Sequence, residues 1–194
     1  MRWVPGIDYL PAFLARDEAA QLCSVLEQEL SWRQQAIVLF GKRVMQPRLT
    51  AWSSDPGITY AYSGLRLQPA PWHPAVAAIR ARLKSELGLP FNSMLANAYR
   101  DGRDSMGWHA DDEPELGARP VVASLSLGAT RRFRVRPRPG APPGQQPAGI
   151  DLAPGSLLLM GESCQSRWQH CLPRTAKPVG LRINLTFRRV FAER

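Results

Sequence analysis

Two stretches of the chain carry helical periodicity. Between Asp17 and Leu30 the apolar residues Ala19, Leu22, Cys23, Leu26 and Leu30 recur at the spacing of one helix face. A second helix is predicted to begin at Pro74, a residue suited to a first turn. It runs through Val76, Ile79, Leu83 and Leu87 to a terminating Gly88. His73, in Trp72-His73-Pro74, reads as a helix-entry residue. Between these helices, segments near 34–40, 43–52 and 59–67 read as strands or hairpins, punctuated by turn signals such as Asp55-Pro56-Gly57. Beyond Asn92 the helical pattern stops, and short strands are predicted at 92–99, 121–127, 131–136, 156–160 and 181–189. A Pro/Gly-rich connection at 137–149 reads as an exposed loop, and the residues before about 35 offer no motif.

The last strand has the clearest alternation. Leu181, Ile183, Leu185 and Phe187 share one face, and Arg182, Asn184, Thr186 and Arg188 share the other. A half-exposed strand with its polar face in water would read the same way. Against that stands its position, shortly after His170 in the string Ser-Arg-Trp-Gln-His-Cys-Leu-Pro. A third segment, Gly107-Trp108-His109-Ala110-Asp111-Asp112-Glu113, places His109 and Asp111 two residues apart. On an extended chain that spacing directs both side chains to the same side. Two histidines and one carboxylate on one face of an iron ion leave open positions, as in non-haem Fe(II) oxygenases. Arginines supply planar, permanently charged forks for a small dicarboxylate beside it.

Taken together, these strings resemble the AlkB-type Fe(II)/2-oxoglutarate-dependent dioxygenases that repair alkylated nucleic acids. The resemblance rests on Asn97-Ala98-Tyr99-Arg100-Asp101-Gly102, the His109 segment, Ser124-Leu125-Ser126-Leu127-Gly128, His170, and Arg182-Ile183-Asn184-Leu185-Thr186-Phe187-Arg188. It extends more loosely to Val38-Leu39-Phe40-Gly41-Lys42, Pro47-Arg48 and Tyr60-Ala61-Tyr62-Ser63-Gly64, which look like the nucleic-acid-handling half of the branch containing the animal nuclear DNA-repair enzymes. The pattern of elements gives a mainly β, α+β fold. The resemblance implies a double-stranded β-helix, or jelly roll, braced by the N-terminal helices. A single domain 1–194 is expected, with helices and nucleotide-recognition hairpins over about 1–90 and a catalytic β core over about 91–194.

The resemblance further implies Fe(II) on His109, Asp111 and His170, with 2-oxoglutarate and O2 as co-substrates. Arg182 would hold the distal carboxylate of 2-oxoglutarate, with Tyr99 and Asn184 nearby, and Arg188 and Asn97 would steady the metal-side carboxylate. The implied reaction is oxidative demethylation of 1-methyladenine and 3-methylcytosine lesions in DNA. It releases formaldehyde, succinate and CO2. Because the methyl sits on the pairing edge, the base has to be flipped out of the stack. Tyr60, Tyr62 and Trp108 are candidates to stack on it, with Ser63 in the same Tyr-x-Tyr-Ser-Gly context, and Phe40 is a candidate wedge. Asp112 and Glu113 would favour a cationic base.

Composition narrows the partner. With 25 Lys+Arg against 16 Asp+Glu, the formal net charge of +9 suits a polyanion such as DNA, with RNA as the alternative. Lys42, Arg43, Arg48, Arg66, Arg100, Arg103, Arg131, Arg132 and Arg134 are the candidate phosphate contacts. Cys23, Cys164 and Cys171 form neither a disulfide framework nor a zinc-binding pattern, so a reducing, cytoplasmic setting is expected. No signal peptide, membrane partner or obligate protein partner is expected. Two rivals remain: a related hydroxylase or demethylase acting on RNA, protein or a small molecule, and a non-catalytic nucleic-acid-binding β-domain.

Overall fold

The fold is that of a computed structural model, which describes residues 1–39, 41–58, 61–62, 65–66 and 69–191. Phe40, Tyr60 and Ser63, with the side chain of Tyr62, lie outside the described residues. The chain opens with β1 (Arg2–Val4), β2 (Ile7–Leu10) and α1 (Arg16–Glu29), followed by β3 (Ala36–Leu39), β4 (Lys42–Met45) and β5 (Leu49–Ser54). Two short strands, β6 (Ala61–Tyr62) and β7 (Leu65–Arg66), lead to α2 (Pro74–Leu87), β8 (Ser93–Tyr99) and β9 (Met106–His109). The rest comprises β10 (Val122–Gly128), β11 (Arg131–Pro137), β12 (Ala148–Leu152), β13 (Leu157–Met160), the one-turn α3 (Cys164–Arg167), β14 (Trp168–Leu172) and β15 (Arg182–Arg188).

Seven strands form the larger sheet in the order β1-β2-β13-β10-β15-β8-β5, and four form the smaller one, β12-β11-β14-β9. This is the jelly roll expected from the sequence. The helices cover the outer face of the larger sheet. Leu22 and Leu26 of α1 and Val76, Ile79 and Leu83 of α2 share one core with Met94, Ala96, Leu125, Ile183, Leu185 and Phe187. The second helix starts and stops for local reasons. The ring nitrogen Nδ1 of His73 accepts from the Ala75 N–H at 3.2 Å, Pro74 occupies the first turn, and Gly88 closes α2 in the left-handed conformation (φ 67°). The two sheets face each other across a second core that includes Ile7, Val122, Phe133, Val135, Leu158 and Trp168.

Several expectations change on folding. The residues before 10 pair as β1 and β2 on the edge of the larger sheet, although each strand is too short to show a period. The stretch 43–52 is not one strand. Pro47 interrupts it, so β4 pairs with β3 in a separate hairpin while β5 joins β8. The 137–149 loop shortens to 138–147 because β11 and β12 pair through Val135 and Ala148. No helix among the described residues is long and apolar enough to cross a membrane.

Leu185 is fully buried between β15 and the helices. Leu185→Ala should therefore destabilise the protein by about 2–5 kcal/mol. Urea unfolding checks this, through a lower midpoint at unchanged slope.

Candidate active site

The polar face of β15 does not meet water. All seven residues of the strand are buried, so Arg182, Asn184, Thr186 and Arg188 point into the space between the sheets. Register then assembles the site. Arg182 lies opposite Tyr99 and Asn184 opposite Asn97 on β8, while His109 of β9 lies opposite His170 of β14. The imidazole rings of that second pair come within 4.2 Å of each other, centre to centre. Asp111 follows two residues after His109. The ligand atoms of His109, Asp111 and His170 all lie within 4.8 Å of one another. These three share one cavity with Asn97, Tyr99, Arg182, Asn184 and Arg188, so eight residues picked out from the sequence converge there.

The donor set suits a divalent metal. Asp111 is 1% exposed, and its Oδ2 has no hydrogen-bond partner, whereas Oδ1 accepts from Arg188 Nη2 at 2.7 Å. His109 Nδ1 donates to the Gly107 carbonyl at 2.9 Å, which leaves the lone pair on Nε2. His170 presents Nε2 toward Asp111 Oδ2 at 3.8 Å and stacks against Phe133. Its Nδ1 is buried without a partner.

Charge states favour metal binding as well. Burial works against a charged Asp111, but the cation of Arg188 and the neighbouring imidazoles outweigh it and hold the carboxyl at about 2. Burial, reinforced by His109 and opposed by Asp111, pushes His170 down to about 3, and burial also lowers His109. In the neutral range all three are therefore deprotonated, the form that binds metal.

Deeper in the cavity, Arg182 is 2% exposed and its guanidinium lies over the Tyr99 ring at 5.3 Å. Its Nη2 donates to Ser126 Oγ at 2.9 Å, and its Nε has no partner. Among the described residues no carboxylate pairs with it. Burial pulls Arg182 down to about 10, so it remains a cation at neutral pH. A buried guanidinium without a counter-ion is costly, and a bound carboxylate would offset that cost.

Some sequence expectations are corrected here. Arg48 is not a surface phosphate contact: it is 3% exposed and its Nε donates to Asn97 Oδ1 at 2.8 Å. Arg131 is also buried, donating to the carbonyls of Asp101, Asp104 and Pro173. Arg100 and Arg103 pair with Asp104 and Asp101. Asp112 is paired with Arg138, which offsets its negative charge, whereas Glu113 stands at the N-cap position of the short turn Pro114–Leu116 without a side-chain cap there. Both Asn184 N–H groups are engaged, by Ser124 Oγ and the Leu125 carbonyl, and its oxygen accepts from Thr186. Trp108 stands 38% exposed beside His109, with the Arg136 guanidinium 4.5 Å from its ring.

Sequence reasoning missed Gln165, on α3. Its Oε1 accepts the backbone N–H of Asp111 at 2.9 Å, and Arg138 ties its carbonyl to Asp112. A lone glutamine carries no such signal until α3 is seen to bring it under the ligand loop.

A model of the 2OG-Fe(II) oxygenase superfamily matches residues 6–188. The chain belongs to that superfamily. Within it the similarity is to AlkB-type members. The chain is 39% identical over 191 residues to human alpha-ketoglutarate-dependent dioxygenase alkB homolog 3, a match taking in 94% of this chain and 65% of the relative. Over 180 residues it is 39% identical to human DNA oxidative demethylase ALKBH2, covering 89% of this chain and 69% of the relative. The solved structure of OsALKBH1 superposes with a TM-score of 0.66 at 21% identity, over 97% of this chain and all of that one. An oxidoreductase of the 2OG-Fe(II) oxygenase family from Burkholderia pseudomallei gives 0.63 at 16% identity, over 98% and 89%. The superfamily's cofactors, Fe(II) and 2-oxoglutarate with O2, agree with the donor set and the buried cation described above.

Because the folded pKa of His170 lies near 3 and its ordinary value is 6.5, the unfolded chain takes up a proton that the folded one refuses. Stability of the metal-free protein should therefore fall as pH drops from 6.5 toward 3, less so in His170→Gln, as thermal melts would show. Gln165→Leu should weaken Mn(II) binding about 10- to 100-fold in equilibrium titrations while leaving the fold intact.

Proposed function

We propose that this chain oxidatively demethylates N-alkylated bases in DNA, of the 1-methyladenine and 3-methylcytosine type, releasing formaldehyde, succinate and CO2. The observation that carries this reading is one cavity holding both the His109–Asp111–His170 donor set and the buried cation of Arg182. The names of the relatives, which include DNA oxidative demethylases, supply the substrate class. The net charge of +9 supports a nucleic-acid partner.

In this reading His109, Asp111 and His170 would hold iron, which with 2-oxoglutarate and O2 would supply the hydroxylation of the N-methyl carbon. The resulting hydroxymethyl base loses formaldehyde. Arg182 would fix the distal carboxylate of 2-oxoglutarate, with the Tyr99 ring against its guanidinium at 5.3 Å. Arg188 sets the orientation of Asp111 by its hydrogen bond to Oδ1, leaving Oδ2 without a hydrogen-bond partner and able to serve as a ligand. Asn184 acts through the strands, bridging Ser124 and Thr186, and Asn97 anchors Arg48 against the cavity wall.

The substrate side is built from an exposed hairpin. Among the described residues β3 and β4 pair only with each other, and Lys42, Arg43, Val44 and Met45 are all exposed, which offers cations for phosphates and apolar surface for unstacked bases. Trp108 offers a stacking face beside His109. Phe40, Tyr60, Tyr62 and Ser63 keep the wedge and base-holding tasks assigned from sequence, and Glu113 keeps that of favouring a cationic base. Arg134, exposed and outside any ion pair among the described residues, remains a phosphate contact. A cytoplasmic setting is supported by three cysteines that form no disulfide.

The decisive experiment supplies Fe(II), 2-oxoglutarate and oxygen to single-stranded oligonucleotides bearing 1-methyladenine, in DNA and RNA forms, and quantifies formaldehyde and restored base. Restoration in DNA is expected, with none in Asp111→Ala. Consumption of 2-oxoglutarate without restoration of either strand would remove the demethylase reading. Arg182→Leu should raise the KM for 2-oxoglutarate more than about 30-fold, the weight of losing one buried charge-assisted contact. Oligonucleotide binding should weaken steeply with added salt.

A further inference from the structure

Buried polar atoms without partners are rare in a folded chain and mark bonding capacity held in reserve. Among the described residues such atoms gather on Asp111, His170 and Arg182, all of which line the cavity already described, and one further such atom is the amide oxygen of Gln145 in the 138–147 loop. Gln46 stands apart from them. It is 1% exposed, and both its amide nitrogen and its amide oxygen are buried without a partner.

Its position is well defined. From Met45 to Thr50, exposed or half-buried residues alternate with buried ones, and the buried row is Gln46, Arg48 and Thr50. The next residue of that row, Trp52, packs with Leu95, and Arg48 donates to Asn97; both Leu95 and Asn97 line the metal cavity. Gln46 therefore extends an inward-facing row one step past the cavity wall. Its backbone is held on both sides. The N–H donates to the Gln35 carbonyl and the carbonyl accepts from Gln34 Nε2, each at 2.9 Å. The carbonyl of the next residue, Pro47, accepts from Ser105 N, just before the strand that ends in His109. Directly upstream lie the exposed Lys42, Arg43, Val44 and Met45. Gln46 thus sits in the chain between the exposed β4 and the residues that reach the wall of the metal cavity, with its amide closed to solvent.

We propose that Gln46 is a substrate-reading residue whose side-chain amide, closed to solvent in the free protein, is uncovered as the adjoining β3–β4 hairpin shifts against a bound strand and then hydrogen-bonds one of its nucleobases. An amide presents donors and an acceptor side by side, the combination that pairs with the edge of an unpaired base. The backbone phosphates, being acceptors only, would leave its oxygen unmatched. This proposal rests on the nucleic-acid reading above and deepens it by naming a contact.

The alternative is that the fold merely tolerates a buried amide, and the oligonucleotide KM separates the two. Replacing a buried unpaired amide by an apolar side chain of similar size removes a desolvation penalty from the free protein. Gln46→Met should therefore raise the melting temperature by about 2–4 °C. If the amide reads a base, the same variant should raise the KM for a 1-methyladenine oligonucleotide about 5- to 30-fold, with the KM for 2-oxoglutarate unchanged. Gln46→Ala serves as a second variant and should show the same KM rise even if the methionine packs poorly. An oligonucleotide KM unchanged in both variants would overturn the proposal. A wild-type protein that turns over no methylated oligonucleotide would overturn it together with the nucleic-acid reading, and that outcome is distinct because no oligonucleotide KM would then exist to compare.

Discussion

The hydrogen bond between Arg188 and Asp111, made where neither side chain reaches water, is the constraint on which the rest of the site depends. A carboxylate buried between two sheets is strongly disfavoured unless a cation faces it. Arg188 meets that requirement with one oxygen and leaves the other to a metal. The same bond links the last strand of the larger sheet to the segment that follows the edge strand of the smaller one. Folding of the jelly roll and assembly of the metal-binding face are therefore one event, because the sheets cannot close without bringing donor and acceptor together.

Two arginines on one strand face play different parts. Arg188 is matched within the protein, whereas Arg182, six register positions away on the same ladder, finds a hydroxyl and an aromatic face but, among the described residues, no carboxylate. That asymmetry makes the cavity selective. A dicarboxylate can chelate a metal at one end and neutralise Arg182 at the other, while a monocarboxylate can meet only one of these demands. Register fixes the separation, since Arg182 faces Tyr99, Asn184 faces Asn97 and Arg188 faces Ser93 along a single antiparallel ladder.

Much of this was legible in the chain because it follows a period of two. The alternation from Leu181 to Arg188 names both faces of β15, and His109-x-Asp111 names two donors on one extended segment. The helices were legible from their apolar spacing, with Pro74 and Gly88 at the ends of the second. What stayed hidden depends on long-range partners. Nothing local distinguishes Arg48 or Arg131 from a solvated arginine; each is buried because acceptors from distant segments, Asn97 for one and the Asp101, Asp104 and Pro173 carbonyls for the other, surround it. Gln165 and Gln46 were silent for the same reason. The strands before residue 10 are too short for any pattern to emerge, and their place is set by pairing with β13.

The central claim is that three donors and one unmatched guanidinium form a single compartment for a metal chelated by a dicarboxylate. Anaerobic absorption spectroscopy of the purified protein with Fe(II) and 2-oxoglutarate tests it most directly. The account predicts a visible charge-transfer band that requires both additions, disappears in Asp111→Ala, and needs far more 2-oxoglutarate in Arg182→Leu. A band of equal strength in Asp111→Ala, or no band at saturating metal and 2-oxoglutarate, would contradict it.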